Sequence, residues 1–254
     1  VYISAGYDEK EYVKRPEWRW RHSPDKKEHL EYEKEVHFHL LCFNTGYLDF
    51  LCAQIEEVMV KYNPCGIFLD IIAPRICYCD KCVSDMKAMG FDIENAEHRE
   101  EFAQRVFNKY IEATNNAVRK YSETATIFHN SGHIPKGDYR YINANSHLEL
   151  ESLPTGGWGY DHFPLSAAYS RTLGKDFLGM TGKFHRAWGE FGGFKHPNAL
   201  IYETSLSIAN GAGCSIGDQM HPLGEMNMST YSLIGEAYKR VEEREPWIKG
   251  AKNI

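Results

Sequence analysis

The chain alternates between short apolar runs and longer stretches in which apolar residues recur every three or four positions. The short runs have the length of buried strands, and the longer ones have the period of an amphipathic helix. Val1 to Tyr7 reads as the first strand, and Gly66-Ile67-Phe68-Leu69-Asp70 as a second that ends on a carboxylate. Further strands are predicted over Ala125 to His129, His147 to Leu153, Phe177 to Phe184 and Gly213 to Met220. Leu48, Leu51, Ile55, Val58, Met59 and Tyr62 share one helical face, which Asn63-Pro64 ends. Phe102, Val106, Tyr110, Ala113, Ala117 and Tyr121 mark another helix, and Ser166 to Leu173 a shorter one. Asn198 is placed to cap a helix that runs to Asn210 and stops at Gly211. A closing helix covers Thr230 to Glu243. Residues 8 to 35 form a polar, charged excursion containing Pro, and Val36 to Cys42 mixes apolar residues with His.

Strands that are mostly followed by helices argue for a parallel sheet with helices on its faces. A doubly wound open sheet and a (β/α)8 TIM barrel both fit. No Gly-x-Gly-x-x-Gly follows the first strand, which weighs against a dinucleotide-binding fold. Polar residues gather just past the strand ends: Asp70, His129, Asn130, Glu151, His185, Asp218 and His221. Side chains from many strand ends meeting on one face is how a barrel builds its site. The reading is an α/β fold, a (β/α)8 TIM barrel domain over residues 1–254. Because the chain opens inside a strand, it reads as a fragment lacking the first two β/α units.

The sequence of 254 residues has 35 acidic and 29 basic side chains, a net charge of −6. A mildly acidic chain has no electrostatic footprint for a nucleic-acid backbone. No window approaches the roughly 18 uninterrupted apolar residues of a membrane helix, so neither nucleic acid nor membrane is an expected partner. Aromatic residues make up 13%, and several Trp stand beside Gly, His and Pro in predicted loops. Their flat faces suit sugar rings, although aromatics also fill cores.

The seven cysteines stand at 42, 52, 65, 77, 79, 82 and 214. Cys77-x-Cys79-x-x-Cys82 offers three thiolates that can converge on one Zn²⁺, and an odd total argues against a plain disulfide framework. Cys42, Cys65, Cys52 and Cys214 are the candidates for a fourth ligand. Four thiolates leave no open coordination position, so this metal reads as structural. Reduced thiols place the chain in a reducing compartment, the cytoplasm. No catalytic metal or organic cofactor is expected.

Asp is depleted from strands, so Asp70 at the end of its run is poorly explained by strand stability and reads as catalytic. In Ser146 to Pro154 polar and apolar residues alternate, which puts His147, Glu149 and Glu151 on one face. Glu151 is nearest the strand end, and Glu149 lies deeper, placed to orient or hydrogen-bond. Two carboxylates facing one pocket are the equipment of glycoside hydrolysis: one attacks the anomeric carbon, the other protonates the leaving oxygen. A separation of roughly 5–5.5 Å gives retention and roughly 6.5–9.5 Å inversion. Glu190 and Asp218 are rival carboxylates. Glu203 falls inside a predicted helix and is set aside. Trp18, His129, Asn130, Trp158, Tyr160, His185, Trp188 and His221 are candidates for holding a sugar.

Taken together, Pro16-Glu17-Trp18, Phe68-Leu69-Asp70, the Cys cluster, Glu151-Ser152-Leu153-Pro154, Trp158-Gly159-Tyr160 and Gly217-Asp218-Gln219-Met220-His221-Pro222 resemble the hypothetical glycosyl hydrolase 6 group. That group includes the family 151 α-L-fucosidases. The resemblance spans nearly the whole chain. It implies a (β/α)8 catalytic barrel, two missing β/α units, and further domains including a trimerisation-like one. The whole protein is then expected to be a homo-oligomer, a trimer, acting on a carbohydrate. Family 29 fucosidases are more distantly similar. Their nucleophile is an Asp ending the fourth barrel strand, which Asp70 matches if Val1 to Tyr7 is strand three. Their acid/base is a Glu near the sixth strand, where Glu151 is the nearest match in a different local sequence and Glu149 stays in play. The cysteines also resemble the structural zinc cluster of family 42 β-galactosidases, and on that resemblance Cys42 becomes the fourth ligand. Those enzymes carry an Asn-Glu pair after strand four, whereas this chain has Leu69-Asp70-Ile71-Ile72.

The function these features imply is a retaining, exo-acting α-L-fucosidase with Asp70 as nucleophile and Glu151 as acid/base. The alternatives are a β-galactosidase-like glycosidase of other specificity and a non-catalytic carbohydrate-binding barrel. A metal-dependent hydrolase using His129, His133, His185 and His221 is disfavoured. Its closely spaced His pairs are missing apart from His37-x-His39, in an early polar region.

Overall fold

All six strands predicted from the sequence are present, arranged as two parallel sheets of three strands each in a mixed α/β architecture. The computed structural model describes residues 1–35, 38–190 and 192–251. Val36 and His37, which open the apolar–His run and the His-x-His pair, lie outside the described residues. The chain divides into two units, one formed by Val1–Ser131 with Tyr139–Ser146, the other by Gly132–Asp138 with the segment from His147 onward.

In the first unit, β1 (Tyr2–Ser4), β2 (Gly66–Asp70) and β3 (Thr126–His129) lie side by side in that order. The register pairs Tyr2 with Phe68, Ser4 with Asp70 and Leu69 with His129. Helix α1 (Glu9–Lys14) starts at Asp8, whose carboxylate accepts the Glu11 N–H, and α2 (Lys26–Glu35) follows. Helices α3 (Tyr47–Tyr62), α4 (Asp80–Ala88), α5 (Ala96–Arg119) and α6 (Tyr139–Ala144) complete the unit. Ile67 and Leu69 are buried on one face of β2, while Phe68 and Asp70 share the other. Leu51 and Ile55 of α3 and Tyr110 of α5 are fully buried where these two helices pack together. Each such side chain contributes about 1.5–3 kcal/mol relative to exposure.

The second unit holds β4 (Leu148–Glu151), α7 (His162–Ser170), β5 (Phe177–Gly182), α8 (Pro197–Ala209), β6 (Gly213–Gly217), α9 (Met228–Glu242) and the short α10 (Glu245–Ile248). The sheet order is β4-β5-β6, with Glu151 paired to Met180 and Gly182 to Gly217. Leu148 and Leu150 are buried, as alternation requires, but Glu151 is buried as well.

Several boundaries differ from the sequence reading for local reasons. The predicted first strand, Val1 to Tyr7, is paired only over Tyr2–Ser4, after which Gly6 N–H turns to the Asp70 carbonyl. Asn198 does not cap α8. The cap is His196, whose ring nitrogen accepts the Asn198 N–H, and Pro197 occupies the first turn, where its missing N–H costs nothing. Helix α7 begins four residues before its predicted start and ends in a 3-10 turn over Arg171–Leu173. Helices α1, α2, α4, α6 and α10 have no counterpart in the sequence reading. Two of them are six residues long, and α2 buries none of its side chains, so periodicity had little to register. None of the described helices is long and apolar enough to cross a membrane.

Candidate active site

Asp70 closes β2, and its carboxylate is fixed by three donors. The Tyr2 hydroxyl donates to Oδ2 at 2.6 Å; Asn130 Nδ2 and the Ile71 N–H each donate to Oδ1 at 2.8 Å. Asn130 stands one residue past β3, so the carboxylate is gripped from both neighbouring strands. Ile71 adopts φ 62°, a left-handed conformation that is costly for a β-branched residue. Its carbonyl accepts from the Arg75 guanidinium at 3.3 Å, and Arg75 is itself half-buried. Non-Gly residues held in this region cluster at functional sites, where neighbours over-determine the backbone. Partial desolvation raises the Tyr2 phenol above its ordinary range although the residue is more than half exposed, reinforced by the hydrogen bond to Asp70 and its charge, so Tyr2 stays a donor.

His129 and Trp18 belong to the same unit. The His129 ring is fully buried, with Tyr110 hydroxyl 3.1 Å from Nδ1 and Asn115 Oδ1 3.0 Å from Nε2. Burial lowers its pKa to about 3, so it is neutral. Trp18 packs against Tyr47 and Phe50, under the Arg15 guanidinium, and its indole fills the space above Gly46.

In the second unit Glu151 Oε1 accepts from the Trp188 indole N–H at 2.6 Å. Trp188 can lie there because two strands end in glycine. A Cβ on Gly217 would come within 2.3 Å of the indole, and one on Gly182 within 3.0 Å. Glu149 pairs with His147 Nε2 at 2.8 Å along the same strand face. The rival carboxylates have local duties. Glu190 accepts the Arg186 N–H at 2.6 Å and closes a turn, and Asp218 is exposed and accepts the N–H of its neighbour Gln219 at 2.7 Å. His185 is exposed, and so is His221, whose ring accepts the Leu223 N–H. Trp158 meets His162 edge-on at 4.9 Å, and both Trp158 and Tyr160 are about two-fifths exposed.

Two features escaped the sequence reading. Tyr2 was read only as part of a strand, and its bond to Asp70 needs the β1–β2 register to be known. Glu203, set aside as a helical residue, is buried and accepts from Lys195 Nζ at 2.7 Å, Thr181 hydroxyl at 2.6 Å and Tyr160 hydroxyl at 3.2 Å. Lys195 is 1% exposed, a fully buried ion-pair partner. A Lys just before a helix and a Glu inside it, eight residues apart, carry no local signature of such a pair.

Cys42, Cys77, Cys79 and Cys82 lie together, with all four sulfurs within 4.8 Å of one another. Cys42 Sγ is 3.5 Å from Cys82 Sγ and 3.8 Å from Cys79 Sγ. A tetrahedral metal with bonds of roughly 2.3 Å implies sulfur–sulfur edges of about 3.8 Å. The four thiols are buried among Met86, Phe102 and the flank of Trp20, which keeps water out. They crowd so closely that hydrogen bonds from Cys42, Cys77 and Cys82 hold the Cys79 thiol far below its ordinary range. Such a set could hold a metal ion, whose charge would stabilise all four thiolates at once. Cys65 is exposed, Cys52 and Cys214 are half-buried, and none of the cysteines forms a disulfide.

No protein-family model matches the chain, and no curated protein does. Among solved structures, a β-galactosidase from Bacillus circulans sp. alkalophilus superposes with a TM-score of 0.68 at 14% identity, over 98% of this chain and 47% of that one. A β-galactosidase from the psychrophilic Marinomonas ef1 gives 0.66 at 11% identity, over 96% and 50%. At such identities the likeness is one of fold. The family resemblance read from the sequence is borne out by a third structure. Over its entire length the chain is 50% identical to the α-L-fucosidase isoenzyme 2 of Paenibacillus thiaminolyticus, with a TM-score of 0.95, and spans 38% of that chain.

Proposed function

We propose that this chain is the catalytic portion of a glycoside hydrolase that releases α-L-fucose with retention of configuration. The observation that carries the reading is the 50% identity to an α-L-fucosidase along the whole chain. The grip on Asp70 at a strand end supports it chemically. In this reading Asp70 attacks the anomeric carbon and forms a covalent glycosyl ester, while Glu151 protonates the departing oxygen and later takes a proton from water. Trp188 orients Glu151 through its indole N–H. Trp158, Tyr160, His185 and His221 would meet the sugar, with Asn130 positioning the nucleophile.

The six strands are proposed to belong to a (β/α)8 barrel completed by two β/α units elsewhere in a longer protein, itself a cytoplasmic homotrimer. The cysteine cluster is assigned a structural Zn²⁺, consistent with a reducing compartment. Zinc there would tie α4 to the segment before α3 and take no part in the reaction.

The test is hydrolysis of a panel of aryl glycosides by the whole protein, with and without Asp70→Asn. Release from the α-L-fucoside, abolished in the variant while its thermal unfolding is unchanged, is the expected result. Release from the β-galactoside alone would favour a β-galactosidase-like specificity. Silence across the panel, with oligosaccharide binding retained, would favour a non-catalytic barrel.

A further inference from the structure

The two oxygens of Asp70 are not equivalent. Oδ1 accepts from Asn130 and from the Ile71 N–H, whereas Oδ2 accepts from Tyr2 alone. Two donors engage both in-plane lone pairs of a carboxylate oxygen, and one donor leaves a pair free. Oδ2 is therefore the oxygen able to attack, and Oδ1 becomes the ester carbonyl, keeping both its donors. Tyr2 reaches Oδ2 from one pleat lower on the neighbouring strand. It is paired across the ladder with Phe68, with the two rings stacked at 5.7 Å and 20°. That stacking aims the hydroxyl along β2 toward Asp70.

Building on the assignment of Asp70 as nucleophile, we propose that Tyr2 is a further catalytic residue whose hydroxyl assists the second step, release of the sugar from Asp70. In that step a water oxygen bonds to the anomeric carbon and its proton passes to the Glu151 carboxylate. The bond from that carbon to Oδ2 breaks, and its electron pair goes to Oδ2. An ester oxygen is a poor acceptor, and a carboxylate oxygen is a strong one. The Tyr2 bond therefore strengthens as the ester breaks and stabilises that transition state more than the intermediate. In the first step the order is reversed. The bond is strongest in the resting carboxylate and weakens as Oδ2 attacks. Loss of the hydroxyl must therefore act with opposite sign on the two steps.

The test uses Tyr2→Phe in the whole protein with 2,4-dinitrophenyl α-L-fucoside, followed by stopped flow. The expected result is a burst of about one equivalent of dinitrophenolate. The later turnover should be slowed roughly 10- to 100-fold, and KM should fall with kcat, leaving kcat/KM equal to or above that of the unsubstituted protein. Replacement of Tyr2 by 3-fluorotyrosine, a stronger donor of the same shape, should instead speed release of the sugar. A Tyr2→Phe release rate within twofold of the unsubstituted protein overturns the proposal. So does an equal fall in kcat and kcat/KM without a burst, which a merely structural role would produce. If Asp70→Asn retains turnover, the nucleophile assignment itself fails. If Asp70→Asn is inert and Tyr2→Phe behaves normally, only the role of Tyr2 fails.

Discussion

The carbonyl oxygen of Ile71 occupies the space where Gly6 lacks a side chain: a Cβ on Gly6 would stand 1.8 Å from it. The Gly6 N–H meanwhile donates to the Asp70 carbonyl at 3.1 Å. Gly6 thus lets the left-handed Ile71 turn press against the chain just past β1, and that turn holds the Asp70 carboxylate through its own N–H.

Gly6→Ala should therefore displace the turn. We expect a loss of about 1–3 kcal/mol, the usual cost of overpacking, measured by urea unfolding, together with a fall in fucoside turnover. At Ile71 itself, Gly should be more stable than Ala by about 1 kcal/mol, because both remove the side chain but only Gly adopts φ 62° without strain. Equal midpoints for Ile71→Gly and Ile71→Ala would refute the claim of strain.

His129 makes stability pH-dependent. Its pKa is about 3 in the fold because of burial, against about 6.5 for an unperturbed His. Between those values the unfolded chain binds a proton that the folded one refuses, so stability falls as pH drops below about 6.5. From pH 7 to pH 5 the loss is about 2 kcal/mol. Urea midpoints for His129→Gln should lack this part of the pH slope, whatever the variant's stability at pH 7.

The cysteine cluster predicts about one zinc per chain by elemental analysis. Cys82→Ser should abolish it and cost at least a few kcal/mol, since metal binding energy is folding energy. Cys65→Ser, at an exposed thiol away from the cluster, should change neither metal content nor unfolding. Loss of metal in both variants, or in neither, would contradict the assignment.

Lys195 and Glu203 should behave as a buried pair. Lys195→Met leaves an uncompensated carboxylate in the interior and should cost about 3–5 kcal/mol. The joint change Lys195→Met with Glu203→Leu should recover most of that loss, because neither charge is then left alone. A joint variant as unstable as the sum of its parts would rule out this account.

The cysteine cluster was legible because three of its members share six residues, and a metal set needs only spacing to be recognised. The fourth member, 35 residues earlier, was recognisable only by likeness to another family. The place of Asp70 at a strand end was legible for a similar reason: a carboxylate closing a short apolar run marks where that run stops. The cap at His196 and the short helices were not legible, because a ring nitrogen acting as a cap and a six-residue helix leave almost no periodic trace.

The sequence alone determined the six strands and the carboxylates that end two of them, since apolar period and strand length are local properties of the chain. Only the tertiary structure decided what those carboxylates touch. Tyr2 meets Asp70 across 68 positions, and Trp188 meets Glu151 across 37. Such contacts depend on the register of parallel strands and on glycines that leave room. Neither strand register nor the space above a glycine is encoded in the residues next to it.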